Sequence, residues 1–418
     1  MKKCTILAGL AAFMMFTSPT LAMTLHEAVE TALKNNPSLQ QTQKSIDVAE
    51  EDIKIAKGQK GVSVSLSGSA NADKTESVEH SESLSTRLSG SIPLYSGKRL
   101  ESEIKSAEIN LDITKLDFEQ AKDDLIYQVA SAYVDALENK ATTAVDVETR
   151  NNLAEHEQNI SDLYDAGAKA KIDLLRASVE TSNANQDVAR SQAAYEVSLT
   201  QLATLMSLKS ITNFDVEDLN TSTDLVDIER CIMTADEVRN DLKADALRIE
   251  RGEVQVTSAK SGWLPSVDAT AGVGTSASKS SDWEPNSSAS AGISASWSIF
   301  DSKITRARVD EAKIEVERLK LAMQSDVENV HKDVITAHKN LKSALVRLET
   351  TKRAVDLAEE ERFIATERYR AGEGILLDIL DSEVALSTAR KNHVSAKYDV
   401  IRYRFELAHA IGNTLGQR

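Results

Sequence analysis

The chain has few of the residues that make loops, staples or metal sites. In 418 residues there are two cysteines, five prolines and 16 glycines, and aromatic residues make up 4%. Cys4 lies in a leading apolar segment, which leaves Cys231 alone and excludes a disulfide framework or a zinc ligand set. Scarce glycine and proline exclude a loop-rich fold, so helix must dominate. Beyond the leader no run approaches the roughly 18 consecutive apolar residues that mark a membrane-spanning helix. Basic residues number 49 against 65 acidic ones, which argues against nucleic acid as a partner, because binding it takes basic patches. There is no GxxxxGK[ST] loop, no HExxH and no GxSxG, and the seven histidines are scattered. His331 and His338, two helical turns apart, read as a solvated or packed pair. No catalytic centre, metal or cofactor is expected.

What is present begins with a targeting signal. Lys2 and Lys3 precede an apolar run from Ile6 to Phe16, and Thr20–Ala22 suits cleavage before Met23. Cys4 precedes the apolar run, so it is not a lipidation cysteine. The expected product is an unlipidated secreted chain of net charge −18, from 47 basic and 65 acidic residues.

The remainder is written twice. Tyr164, Gly167 and Asp173 match Tyr369, Gly372 and Asp378 at an offset of 205, as Pro93–Arg99 matches Ser298–Ile304. Leu39–Gly58 matches Leu242–Ser261 at an offset of 203, so two residues enter between these points. The hairpin loops, which tolerate insertion, are the natural place for them. Residues 98–166 and 303–371 each contain no glycine or proline over 69 residues and predict helices about 100 Å long. Leu100, Ile104, Ala107, Leu111, Thr114, Phe118, Ala121 and Leu125 step by four and three, a coiled-coil seam. Val330, Val334, Ala337, Leu341, Ala344 and Leu348 repeat it. Shorter helices are expected over 24–60, 168–209, 235–261 and 375–411.

Between short and long helices the period falls to two. Val62, Val64 and Leu66 alternate with serines; Leu84, Leu88, Ile92 and Leu94 alternate with Ser85, Arg87, Ser89, Ser91 and Pro93. In the second copy Val267, Ala269, Ala271 and Val273 alternate with polar residues, and Ala289 to Ile299 alternate with serine and glycine. Such strands suit either a half-buried sheet or the wall of a water-filled membrane barrel. The serine face is too small and polar for a packed core, which favours the barrel. Tyr95, Trp263, Trp297 and Phe300 gather near the strand ends, where an interfacial girdle belongs. Four strands leave two edges that lipid does not tolerate. Three copies would give twelve strands.

These residues carry a resemblance. The stretch "TLHEAVETALKNNPSL", the "PLYSGKR" and "SIFDSK" stretches after the hairpins, and above all "YRAGEGILLDILDSEVALSTARKNHVSAKYDVIRYRFELAHAIG" resemble the TolC family of outer-membrane channel-tunnels. The resemblance implies a mainly α fold with membrane β structure: a trimeric twelve-stranded barrel in the outer membrane, continuous with a helical barrel in the periplasm. It implies a homotrimer that meets outer-membrane lipid, a periplasmic adaptor and an inner-membrane transporter of ABC or RND type, and exports proteins or small toxic compounds. The organisation expected is a signal peptide over 1–22, a first repeat over 23–210 (hairpin about 62–95), a connecting segment over 211–234, a second repeat over 235–412 (hairpin about 266–300) and a tail over 413–418.

The two glycine-containing breaks, around Gly167 and around Gly372 and Gly374, are then turns where a long helix reverses into a short one at the periplasmic entrance. Asp378 and Asp381 share a helix face. By resemblance they match the carboxylates of the family's entrance constriction, six in a trimer, a ring that favours cations. Stabilisation of a helix N-terminus explains Asp378 and Asp173 equally well, but not why position 381 is Asp where its counterpart is Arg176. Tyr369 and Asp173 match a linked pair that holds the family's entrance shut. Gly374 occupies the place of an arginine that makes another link, for which Arg370, Lys169 or Lys171 are candidate substitutes. The alternative from another class is a periplasmic adaptor with a long helical hairpin, which would need a compact β-domain.

Overall fold

The computed structural model describes residues 21–75, 78–208, 214–219, 224–279 and 282–412. Most of the signal peptide, the 413–418 tail, both hairpin tips and parts of the connecting segment therefore lie outside the described residues.

The elements run β1 (Leu21–Met23), α1 (Leu25–Asn35), α2 (Pro37–Gly58), β2 (Ser63–Thr75), β3 (Val78–Tyr95), α3 (Arg99–Asp165) and α4 (Lys171–Leu205). Then follow β4 (Phe214–Val216), α5 (Ile228–Val238), α6 (Asn240–Lys260), a 3-10 turn (Ser261–Trp263), β5 (Ser266–Ser278), β6 (Asn286–Ser296), α7 (Ile304–Arg370) and α8 (Leu376–Ile411). Both α3 and α7 are 67 residues long and unbroken. The α7 seam is buried from Val330 through Ala344. On α3 the expected seam is mostly half-buried, and Ile109 and Ile113 are buried instead, packed with Ala244 and Leu247 of α6. The α3 helix thus carries two apolar faces where the sequence reading assigned one.

The repeat is more exact than the sequence matches showed. Thr24 caps α1 through a capping box with Glu27, and Asp227 caps α5 through the backbone N–H groups of Glu229 and Arg230. Both α1 and α5 have 11 residues and stop at a single extended residue, Asn36 or Arg239. These are breaks in what the sequence suggested were single helices. Pro37 explains the first, because the residue before proline is pushed out of the helical region. The second has no glycine or proline. There Arg239 is held by Asp241 and by the Ala410 carbonyl, 2.9 Å from its Nη1.

The chain forms two compact units, to which α3 and α7 each contribute. One draws on residues up to Asn36, Ile126–Asp224 and Leu341–Phe405. In it β1 pairs in parallel with β4. Fully buried Tyr133 on α3 sets its hydroxyl 2.7 Å from the Met23 carbonyl and accepts from Glu217 N–H at 2.9 Å. Burial pushes the Tyr133 pKa up to about 12. Asp215 accepts from Lys140 (2.7 Å) and Tyr195 (2.6 Å), and Asp218 accepts from Lys397 (2.7 Å). The part of the connecting segment at 214–218, unassigned from sequence, is thereby pinned to α3, α4 and α8.

The other unit draws on Pro37–Leu125, Leu225–Asn340 and residues from Glu406 on. It holds the antiparallel sheet, in the order β2-β3-β5-β6. Facing serines bond across it: Ser63 to Ser91 at 2.7 Å, Ser65 to Ser89 at 3.0 Å and Ser69 to Ser85 at 2.9 Å. The opposite face carries Val64, Leu66 and Ile293, exposed by 68%, 72% and 72%. Register places the insertion: Asp73 pairs with Ser81 and Ser276 with Asn286, so the offset changes from 203 to 205 beyond these pairs, at the hairpin ends.

Candidate functional site

Two sites follow from the sequence, one at the paired turns and one at the helix-side end of the sheet. The turns have identical backbone chemistry. Gly167 and Gly372 sit at φ +74° and +77° just past the ends of α3 and α7, the left-handed position that glycine occupies without penalty. Gly167 N–H donates to the Tyr164 carbonyl (2.9 Å) and Ala168 N–H to that of Leu163 (2.8 Å). Gly372 and Glu373 repeat this to Tyr369 (3.0 Å) and Arg368 (2.9 Å). Both are Schellman caps. Gly374 has a different cause. A Cβ there would lie 3.0 Å from the Tyr369 nitrogen and 3.2 Å from the Arg368 carbonyl carbon. An arginine here, as the resemblance calls for, would make this turn give by a few tenths of an ångström.

Asp173 and Asp378 both stand in the first turn of their helices, α4 and α8, where a carboxylate complements the helix dipole. Asp378 and Asp381 are exposed on one face of α8. They line a groove with Glu360, Glu361 and Arg368 of α7, so the sequence reading missed two further carboxylates of the same surface. Asp381 also borders a groove between α4 and α8, and Arg176 lies across it. Its repeat counterpart therefore becomes its neighbour.

The closure pair is arranged less simply. Tyr369 packs its ring on the core of Leu153, Ile160, Ala184, Leu376 and Leu380. Its hydroxyl is buried and bonds to nothing, Asp173 included, among the described residues. Of the candidate substitutes for the missing arginine, Arg370 pairs with Glu367 at 2.9 Å, whereas Lys169 places its ammonium 4.6 Å over the Tyr369 ring.

Glu383, two residues beyond Asp381 on the buried side of α8, was not singled out from sequence. It is 2% exposed and meets Arg362 at 3.2 Å, Asn152 at 3.3 Å and His156 at 3.9 Å, so one carboxylate joins α8 to both long helices. Burial pushes its pKa up, but His156, Arg362 and Asn152 outweigh that and the result is a lowered value. The available signal was a charge in the apolar stripe Leu376, Ile379, Leu380 and Leu386.

At the sheet end, Tyr95, Trp263, Trp297 and Phe300 are all exposed. Strict alternation would put Tyr95 on the serine face with Pro93. A bulge at Leu94 intervenes, so that Pro93 pairs with Asp268 but Tyr95 with Val267, on the apolar face. Trp297 Nε1 donates to the Trp263 carbonyl at 3.1 Å, and Phe300 is 85% exposed.

The family model for outer membrane efflux proteins matches residues 28–207 and 232–413, one stretch for each repeat. Nodulation protein T of Rhizobium leguminosarum bv. trifolii is 25% identical over 398 residues, which cover 92% of this chain and 84% of that protein. The outer membrane protein TolC of Escherichia coli K12 is 23% identical over 418 aligned positions, covering 95% and 84%. CusC, whose crystal structures bear on transmembrane channel formation, shares the fold at a TM-score of 0.81 and 18% identity, with 93% of this chain and 92% of that one covered. An adaptor is not supported by any of these likenesses. By its two matched repeats, and with a fold to agree, this chain belongs to the outer membrane efflux protein family.

Proposed function

We propose that three copies of the chain close their sheets into one twelve-stranded barrel and form the exit duct of a tripartite export system. The observation that carries this is the sheet itself. One face is an exposed apolar surface, the other a ladder of hydrogen-bonded serines, and β2 and β6 are open edges within the chain. Lipid suits the first face and water the second. Open edges in lipid leave backbone groups unsatisfied at several kcal/mol each, so the edges must pair with other copies.

In this duct the exposed carboxylates Asp378 and Asp381 ring the periplasmic entrance, with Glu360 and Glu361 beside them, and attract cations. The closed state uses Tyr369 and Asp173, and Lys169 serves in place of the arginine whose position Gly374 occupies. A periplasmic adaptor and an inner-membrane transporter of ABC or RND type deliver the cargo, proteins or small toxic compounds. The chain does no chemistry on it. Detergent-extracted protein is expected to run as a heat-resistant trimer and to conduct ions in planar bilayers. A soluble, non-conducting protein would end this reading.

A further inference from the structure

The sheet end holds more than an aromatic girdle. Arg99 N–H bonds the Ser96 carbonyl and Ile304 N–H bonds that of Asp301, both at 3.1 Å, across turns whose two central residues have positive φ. These are Gly97 and Lys98 (+60° and +72°) and Ser302 and Lys303 (+53° and +70°), the conformation of a type I′ turn. Each turn is wedged against the 3-10 turn. A Cβ on Gly97 would lie 3.0 Å from the Ser261 carbonyl oxygen, and one on Gly262 would lie 2.7 Å from Thr305 Oγ1. The Trp297–Trp263 hydrogen bond closes the same cluster. Two lysines of identical backbone conformation thus sit at the foot of one sheet, beside Trp263, Trp297 and Phe300.

Their charges are unanswered. Other lysines nearby bridge to carboxylates, Lys60 to Glu101 at 2.7 Å and Lys105 to Glu250 at 3.5 Å. Among the described residues no carboxylate oxygen lies within 4.0 Å of the ammonium of Lys98, Lys303 or the adjacent Lys260. Asp301, the acid closest in sequence to Lys303, is engaged by Thr305 N–H at 2.7 Å. In so acidic a chain, three exposed and unpaired ammoniums on a rigid apolar rim call for an anion held at the edge of a hydrocarbon phase.

We propose that this rim binds the headgroup of an anionic glycerophospholipid: acyl chains lie along Ile299, Phe300 and Trp297, and Lys98, Lys303 and Lys260 surround the phosphate. Aromatic and aliphatic side chains at this level match the apolar boundary, and clustered lysines at a bilayer surface select anionic lipid. A zwitterionic headgroup would bring its own ammonium against three others. The site rests on the barrel reading, because it needs the sheet in lipid.

The test uses purified full-length protein in detergent and native mass spectrometry, with phosphatidylglycerol, phosphatidylcholine and inorganic phosphate as separate probes. Retention of phosphatidylglycerol over phosphatidylcholine is expected, falling roughly 30-fold in Lys98→Gln/Lys303→Gln and persisting in Lys98→Arg/Lys303→Arg. Equal retention of the two lipids, an unchanged preference in the glutamine variant, or equal capture of inorganic phosphate each overturns the site. Conductance in phosphatidylcholine bilayers separates the two ideas. A conducting protein without lipid preference sinks only this site, and a non-conducting one sinks the barrel.

Discussion

The Lys169 ammonium lies 4.6 Å above the Tyr369 ring, so the turn ending α3 reaches the residue that begins the turn ending α7 within one chain. Such a contact is worth about 0.5–1 kcal/mol at an exposed site. Lys169→Gln is expected to loosen the pairing of the two turns and raise the frequency of brief openings in single-channel records. Gating identical to the native protein would assign Lys169 no part in closure.

Tyr369 brings a buried hydroxyl without a partner among the described residues, an arrangement that costs about 1–3 kcal/mol until one is supplied. The proposed closure through Asp173 would supply one. Tyr369→Phe combined with Asp173→Ala is therefore expected to raise single-channel conductance in planar bilayers. Conductance at the native level would remove these residues from the lock.

Asp378 and Asp381 are exposed, and their groove contains Glu360 and Glu361 against one cation, Arg368. Asp378→Asn with Asp381→Asn should move the reversal potential in a salt gradient towards zero and weaken block by multivalent cations. The residual selectivity should fall further when Glu360 and Glu361 are also neutralised. A reversal potential unmoved by the first pair would leave these carboxylates to the helix dipole alone.

Glu383 is the buried member of an ion pair whose partner, Arg362, is half-buried. Glu383→Gln should cost about 3 kcal/mol, the lower end of the range for breaking a buried pair, because Arg362 is itself partly exposed. The pH dependence has a definite sign. Because its folded pKa is lowered, Glu383 contributes stability above its unfolded value, about 4.3, and loses it as pH falls through the folded one. Thermal unfolding of the native protein should therefore become acid-sensitive below about pH 4.5, with a smaller slope in Glu383→Gln. Equal slopes would mean that folding leaves the Glu383 pKa where it is in the unfolded chain.

The repeat provides an internal control on backbone strain. Ser302 occupies at φ +53° the position that Gly97 holds at +60° in the first copy. A residue with a Cβ costs about 1–2 kcal/mol in that region. Ser302→Gly is expected to stabilise by about 1 kcal/mol, and Gly97→Ala to destabilise by more, because its new methyl would meet Leu264 Cβ at 3.0 Å. Matching melting temperatures for Ser302→Gly and the native protein would contradict the first expectation.

Much of this fold was legible because it is periodic. The 203 and 205 offsets, the runs without glycine and proline, and the alternation from Ala289 to Ile299 are local patterns that a chain cannot easily carry by accident. What escaped depends on contacts distant in sequence. The break at Arg239 is set by the Ala410 carbonyl, and the turn of Tyr95 to the apolar face by a bulge visible only once β3 is paired with β5. The short strand at Phe214–Val216 exists because Met23 lies beside it. Glu383 stands out in the sequence only as a charge in an apolar stripe, and its role follows once Arg362, Asn152 and His156 come together around it.

The central claim is that the sheet closes between chains, and its open edges offer the most direct measurement. With the order β2-β3-β5-β6, single cysteines introduced by substitution of serines on β2 and β6, in a Cys231→Ser background, stand at opposite edges of one sheet. Oxidised in the outer membrane, they should join neighbouring chains into a ladder that stops at three and collapses on reduction. Bands confined to a single chain, or a ladder that continues past three, would contradict it.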